Sequence, residues 1–268
     1  MTIKHPVIRY HGSKFRLAKW VISHFPDHRC YVEPFGGAAG VLMQKEPSYA
    51  EVYNDLDSEV VNLFRVLRDK AMNEQLQRAC YLTPYSRDEF ELARVNINDP
   101  IERARRMVVR ACMGFGSAAS SGGTSGGTSG FRSDSKRKYA TASHLWAKYP
   151  ENLAAVCSRL QGVIIENKPA TELIKQHDSA DTLFYVDPPY VPSTRVMRNR
   201  YYNFELTAEQ HHELLQALKS VAGMVAISGY ESELYNDELS SWRKVTKESR
   251  ISAGRGTGTR TECLWMNY

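Results

Sequence analysis

The chain has 268 residues, 42% of them hydrophobic, which is room for one large domain or a core domain with a smaller insertion. Lys and Arg total 35 against 30 Asp and Glu, a net +5 that permits a nucleic-acid partner without demanding one. The scattered Cys30, Cys80, Cys112, Cys157 and Cys263 form no C-x-x-C pair, and no apolar run approaches the roughly 20 residues of a membrane span. That argues against a zinc site, a disulfide framework and a membrane protein, and for a soluble cytoplasmic one.

Tyr10-His11-Gly12-Ser13-Lys14 comes first. Ser13 is placed to cap a helix carrying Leu17, Trp20, Val21 and Phe25 on one face. Lys14 falls in its first turn, the wrong end for the helix dipole, which fits an acidic ligand group or a solvated lysine equally. Cys30-Tyr31-Val32-Glu33 reads as a short strand. It runs into Pro34-Phe35-Gly36-Gly37-Ala38-Ala39-Gly40 and an apolar helix from Val41. A strand, a small-residue turn and a helix open a nucleotide-binding unit. Glu51-Val52-Tyr53 is a second strand ending in Asn54-Asp55. An acid roughly 20 residues beyond such a turn binds a ribose hydroxyl; the alternative for Asp55 is a turn or helix cap.

Asp57 caps a helix with Val60, Phe64 and Leu67 in register. From about Lys70 the α/β rhythm stops. One helix starts near Ser86 and another at Asp99-Pro100, running to Gly114. Arg103, Arg105, Arg106 and Arg110 crowd the second helix's polar face, which fits phosphate contact or a solvated surface. Residues 114–138 hold a Gly/Ser repeat at 122–130, then Phe131-Arg132 and Lys136-Arg137-Lys138-Tyr139. A mobile tract ending in basic and aromatic residues suits a nucleic-acid loop that orders on binding.

A helix bearing Leu153, Val156, Cys157 and Leu160 ends at Gly162, and the α/β rhythm resumes with strand Val163-Ile164-Ile165-Glu166, followed by Asn167. Leu183-Phe184-Tyr185-Val186 is a buried strand that runs into Asp187-Pro188-Pro189-Tyr190. Two prolines force a stiff extended turn. They hold a carboxylate, a carbonyl and an aromatic ring together at the carboxyl end of a strand, where open α/β sheets bind ligands. That trio suits a planar, amino-bearing heterocycle. Beyond it come Arg195, Arg198, Arg200, Tyr201 and Tyr202, then a capping box of Thr207 and Gln210 and a strand from Met224 to Ile227. The chain closes on two paired strands, at Val245 and at residues 262–266, separated by a Gly/Arg-rich loop over residues 252–261.

The order Tyr-x-Gly-x-Lys, Glu-Pro-Phe-x-Gly, Asn-Asp, an insertion and Asp-Pro-Pro-Tyr resembles the Dam-type DNA adenine N6-methyltransferases, compact phage or prophage enzymes among them. The resemblance spans nearly the whole chain. It implies an α/β fold: a Rossmann-like S-adenosylmethionine-dependent methyltransferase sheet (residues 1–69 and 149–268) with a mainly helical target-recognition domain inserted at residues 70–148. It implies S-adenosylmethionine held by Tyr10, Lys14, Phe35, Gly37, Asp55, Asn167 and Asp187. Catalysis on a flipped-out adenine falls to Asp187, Pro188 and Tyr190. Double-stranded DNA would be met by Arg9, Arg110, Arg132, Lys136, Arg137, Lys138 and Tyr139, by a monomer needing no metal. Ala39 stands where the family usually has a second glycine, with Gly40 as a stand-in, and Asn167 stands where it often has Asp. Methylation of cytosine N4, RNA adenine or a protein amide, or non-catalytic DNA binding on the same fold, are the alternatives.

Overall fold

The computed structural model describes residues 3, 5–115, 130–136, 140–191, 194, 204–253 and 256–268, with side chains described outside 250–258. The 116–129 part of the Gly/Ser tract, Arg137, Lys138 and Tyr139, and the basic run from Arg195 to Tyr202 lie outside the described residues.

A short 3-10 turn, Lys14–Arg16, leads into α1 (Ala18–Ile22). Strands β1 (Cys30–Glu33) and β2 (Ala50–Asn54) follow. Five helices come next among the described residues: α2 (Ser58–Arg68), α3 (Lys70–Leu82), α4 (Arg87–Leu92), α5 (Pro100–Met113) and α6 (Ala142–Ala147). After α7 (Leu153–Leu160) the chain alternates through β3 (Val163–Glu166), α8 (Ala170–His177), β4 (Thr182–Val186), α9 (Ala208–Lys219), β5 (Met224–Gly229) and α10 (Glu233–Glu238). It closes with β6 (Arg243–Ala253) and β7 (Gly256–Met266).

The seven strands form one sheet in the order β3-β2-β1-β4-β5-β7-β6. The first five are parallel; β7 runs antiparallel to both β5 and β6. This is a Rossmann-like sheet. Strand order reverses between β1 and β4, so the crevice for a ligand opens at their carboxyl ends.

Alternation along the strands builds two cores. Tyr31, Leu183, Tyr185, Ala226, Leu264 and Met266 face one cluster; Val32, Phe184, Val186, Val225, Ile227 and Trp265 face the other. The first cluster also takes Leu76, Phe90, Met107, Val108 and Trp146 from residues 70–148. The described helices of that insertion therefore share the sheet's core.

Caps form at Asp57, Ser86 and Asp99, and Thr207 with Gln210 closes a full capping box. Four expectations are corrected. Ser13 makes no side-chain cap bond, and its helix is split into the 3-10 turn and α1. Residues 40–44 form a run of turns instead of a helix. Residues 252–261 are mostly strand: the β6–β7 ladder continues to the pair Ala253 and Gly256. The arginine face of α5 turns inward. Arg105 binds Glu102, Glu89 and Thr83; Arg106 binds Glu102 and the Val95 carbonyl; Arg103 binds Glu59.

Candidate active site

Three strand ends and one turn converge. Glu33 ends β1, Asp55 follows β2 and Asp187 follows β4. The turn after β1 needs its glycines for two reasons. A Cβ at Gly36 would lie 2.1 Å from the Tyr53 ring, and Gly37 sits at φ 47. Ala39 also adopts positive φ, 51, so this is a left-handed position filled by an alanine. Gly40 does not stand in for it: a Cβ there would approach the Phe15 nitrogen to 2.6 Å, so its role is close packing against the Lys14 turn.

These pieces line an open cleft whose walls include Tyr10, Ser13, Phe35, Gly37, Asp55 and Asp187. Asp55 spans the turn. Its Oδ2 accepts from the Gly37 N–H and its Oδ1 from the Asp57 N–H, both at 2.8 Å. Burial raises its pKa to about 6. Glu33 accepts from Tyr31 Oη at 2.6 Å and the Leu42 N–H at 2.8 Å, and burial pushes it up to about 7.

Asp187 is held from two sides. Lys14 Nζ donates to Oδ1 at 2.8 Å and to Oδ2 at 3.0 Å, and Ser228 Oγ donates to Oδ1 at 2.8 Å. Burial would lower the Lys14 pKa, but the Asp187 and Glu262 carboxylates outweigh it and hold the ammonium well above its ordinary value. A carboxylate oxygen has two lone-pair sites. Oδ1 fills both, while Oδ2 takes Lys14 alone and keeps acceptor capacity toward the cleft. Pro188 is buried beside it.

Tyr190 is not among the residues that line the cleft. Its hydroxyl donates to Glu262 Oε1, Lys14 Nζ lies 4.6 Å from its ring centroid, and Tyr230 meets its edge at 4.5 Å. Lys14 thus occupies one face of the Tyr190 ring. The sequence reading missed Ser228 and Glu262. Glu262 did carry a signal, an acid opening an otherwise apolar strand run.

Other expected residues fall elsewhere. The Asn167 side chain donates to the Asp55 and Leu56 carbonyls and does not line the cleft, so it clasps the Asp55 loop. Arg110 points inward, donating to the Ala93 carbonyl at 2.6 Å. Arg132 is buried, and its N–H and carbonyl are engaged by the Met113 carbonyl and Tyr85 Oη where a Gly114–Phe131 bridge closes the root of the tract. Arg9 is half-buried near Tyr85 and Cys112, and Lys136 is exposed.

The cleft suits a ligand that is cationic at one point and flat and apolar at another. Glu33, Asp55, Asp57 and Asp187 line it against Lys14, whose charge is already paired. Phe35, Leu56 and Phe204 supply apolar wall. Ser13 Oγ is buried without a partner among the described residues, a hydroxyl available to a ligand's polar group.

Residues 10–254 match the family described as D12 class N6 adenine-specific DNA methyltransferase. The chain is 23% identical over 279 residues to a DNA adenine methylase of Salmonella typhi, covering 97% of this chain and 94% of that protein. It is 22% identical to the DNA adenine methylase of Escherichia coli K12, with the same coverage. A crystal structure of a SAM-dependent methyltransferase from Agrobacterium tumefaciens aligns with 96% of this chain and 62% of that one at 9% identity and a TM-score of 0.39. No helix among the described residues is long and apolar enough to cross a membrane, and no group of metal-ligating side chains is found among them.

Proposed function

The chain belongs to the D12 class of N6 adenine-specific DNA methyltransferases, and from that premise we propose that Asp187 and Pro188 hold the adenine amino group while Tyr190 stacks on its ring. The reaction is transfer of a methyl group from S-adenosylmethionine to adenine N6 in DNA. When bound, S-adenosylmethionine supplies an electrophilic methyl group on a sulfonium. Tyr10, Phe35, Gly37 and Asp55 would hold it. The cleft's excess of carboxylates fits its cation, the apolar wall fits its base, and the Ser13 hydroxyl fits its polar tail.

The chain's own work is on the acceptor. The N6 lone pair is delocalised into the purine ring and is a poor nucleophile. Asp187 Oδ2 accepts one N6–H and the Pro188 carbonyl the other, which draws the nitrogen toward a tetrahedral form with its lone pair aimed outward. Asp187 then holds the proton that the methylated nitrogen sheds. Holding both partners in attack geometry can supply up to roughly 7–11 kcal/mol of the barrier. The base must leave the duplex first, at a cost of a few kcal/mol. Residues 70–148 act as the target-recognition region, with Lys136, Arg137, Lys138 and Tyr139 as its DNA contacts and Arg9 as a further contact from outside it; Arg110 and Arg132 are too deeply engaged to join them.

The observation that carries this reading is the Asp187 carboxylate, fixed by Lys14 and Ser228 with acceptor capacity left on Oδ2. The test is methyl transfer to DNA lacking adenine methylation, followed by digestion to nucleosides. The parent protein should yield N6-methyladenine and Asp187→Ala none. Product on cytosine, or undiminished product from folded Asp187→Ala, would overturn the reading.

A further inference from the structure

We propose that Glu262 on β7 is a positioning residue for methyl transfer, its carboxylate setting both the Tyr190 ring and the Lys14 ammonium that holds Asp187. This rests on the reading of Asp187 and Tyr190 as the transfer site.

Glu262 lies 72 residues from Tyr190 in the chain, yet its Oε1 accepts from the Tyr190 hydroxyl. It is 3% exposed and precedes four buried residues, Cys263 to Met266. A buried charge is costly unless it is paired and hydrogen-bonded, and Glu262 has both kinds of partner. Lys14 Nζ stands 3.4 Å from the same Oε1.

Lysine has three N–H donors. One direction serves the Asp187 carboxylate, one the Gly12 carbonyl at 3.1 Å, and the third faces Glu262 and the Tyr190 ring. The ammonium is thus shared between two carboxylates. Without the Glu262 charge the third donor loses its ionic partner, and Lys14 is drawn wholly onto Asp187. Its existing bond to Oδ2, 3.0 Å, would tighten and compete more strongly with the adenine amino group there.

The second consequence concerns Tyr190. Its hydroxyl is tied to Glu262, and its edge rests on Tyr230 at an interplanar angle of 73°. Arg260 lies over Tyr230, 4.7 Å from its centroid, and also donates to the Thr194 carbonyl. Glu262 and Arg260 are two residues apart on one strand and share a face. One face of β7 therefore props the ring that meets the base.

The test compares Glu262→Gln, Tyr190→Phe and the double variant in single-turnover methyl transfer. Cofactor affinity by calorimetry and stability in urea are measured alongside. Glu262→Gln keeps an acceptor for the Tyr190 hydroxyl and removes the charge facing Lys14. It should slow transfer roughly 10- to 100-fold, the usual effect of losing a supporting partner, with cofactor affinity unchanged. The double variant should be no slower than the product of single effects allows for coupled residues, that is, clearly less than multiplicative. Parent-like transfer by Glu262→Gln, a loss matched by lost cofactor affinity, or multiplicative effects would overturn the proposal. Should Glu262→Gln fail to fold, Glu262→Asp keeps the charge and shortens its reach; parent-like transfer by that variant overturns the proposal and slowed transfer with intact cofactor binding supports it. Asp187→Asn is run in parallel. Transfer at the parent rate there means that the site itself is misassigned, whereas loss there with full activity in the Glu262 variants defeats only the role of Glu262.

Discussion

Glu33 sits at the end of β1, 3% exposed, with burial raising its pKa to about 7. An unfolded glutamate titrates near about 4.3. The folded state therefore binds more protons than the unfolded state between those values, and stability falls as pH rises through the window. Asp55, raised to about 6, acts in the same direction. Glu33→Gln removes the ionisation. We expect the stability difference between this variant and its parent to move in the variant's favour by on the order of 3 kcal/mol between pH 4 and pH 8. Urea denaturation across that range measures it; parallel pH profiles would show that Glu33 is not a buried anion. Asp187 and Asp55 could be placed in the cleft from sequence because prolines and glycines fix local backbone. Asn167 could not, because its contact is to the Asp55 loop 112 residues away in sequence. Ala39 shows the same limit: its left-handed φ is a property of the turn, not of alanine.

Among the elements, α5 departs most from its appearance in sequence. A helix with four arginines on one face reads as a solvated or phosphate-binding surface, but Arg105 and Arg106 are 8% and 9% exposed. They are buried because Glu102, one turn back on the same helix, pairs with both, while Glu89 of α4 meets Arg105 and the Val95 carbonyl after α4 meets Arg106. The Glu102 pairs sit at helical spacing, but the Glu89 and Val95 contacts that turn the face inward are tertiary and leave no periodic trace. We expect Arg110→Gln to lower stability by about 1–3 kcal/mol, since it unsatisfies the Ala93 carbonyl. It should leave the slope of DNA affinity against salt concentration unchanged. A slope reduced by about 0.9 would mean that Arg110 reaches a phosphate after all. α3 escaped the sequence reading because only Asn73, Leu76 and Cys80 of it are buried, too sparse a stripe to register. The outer rungs of β6 and β7 escaped because glycine and arginine signal loops, whereas here the two strands pair only with each other beyond Glu262.

At the scale of the whole molecule, sheet order makes the cleft and the insertion supplies the rest. The parallel strands were legible as short apolar runs, and the reversal between β1 and β4 brings residues 33, 55 and 187 together. The insertion was legible only as an interruption: its described helices pack into the sheet's own core. The DNA-binding role proposed for the basic run after Asp134 can be tested without a structure of the complex. Neutralising Lys136, Arg137 and Lys138 together should weaken binding to all DNA sequences alike. Each lost phosphate contact should flatten the salt dependence by about 0.9. If general affinity held and the choice of adenines changed, the run would be reading bases.

Asp187 remains the point on which these levels meet. Removing its side chain altogether leaves the buried Lys14 ammonium short of a partner, so Asp187→Asn is the cleaner probe. It keeps the shape and an acceptor for Ser228 but puts an amide where the carboxylate faces the adenine amino group. The decisive measurement is the single-turnover rate of methyl transfer by Asp187→Asn, with cofactor and DNA affinities determined on the same sample. We expect both affinities to be retained and the rate to fall by at least roughly 10²–10³, the usual loss for one preorganised polar partner. A folded variant that binds both ligands and transfers methyl at the parent rate would contradict the account.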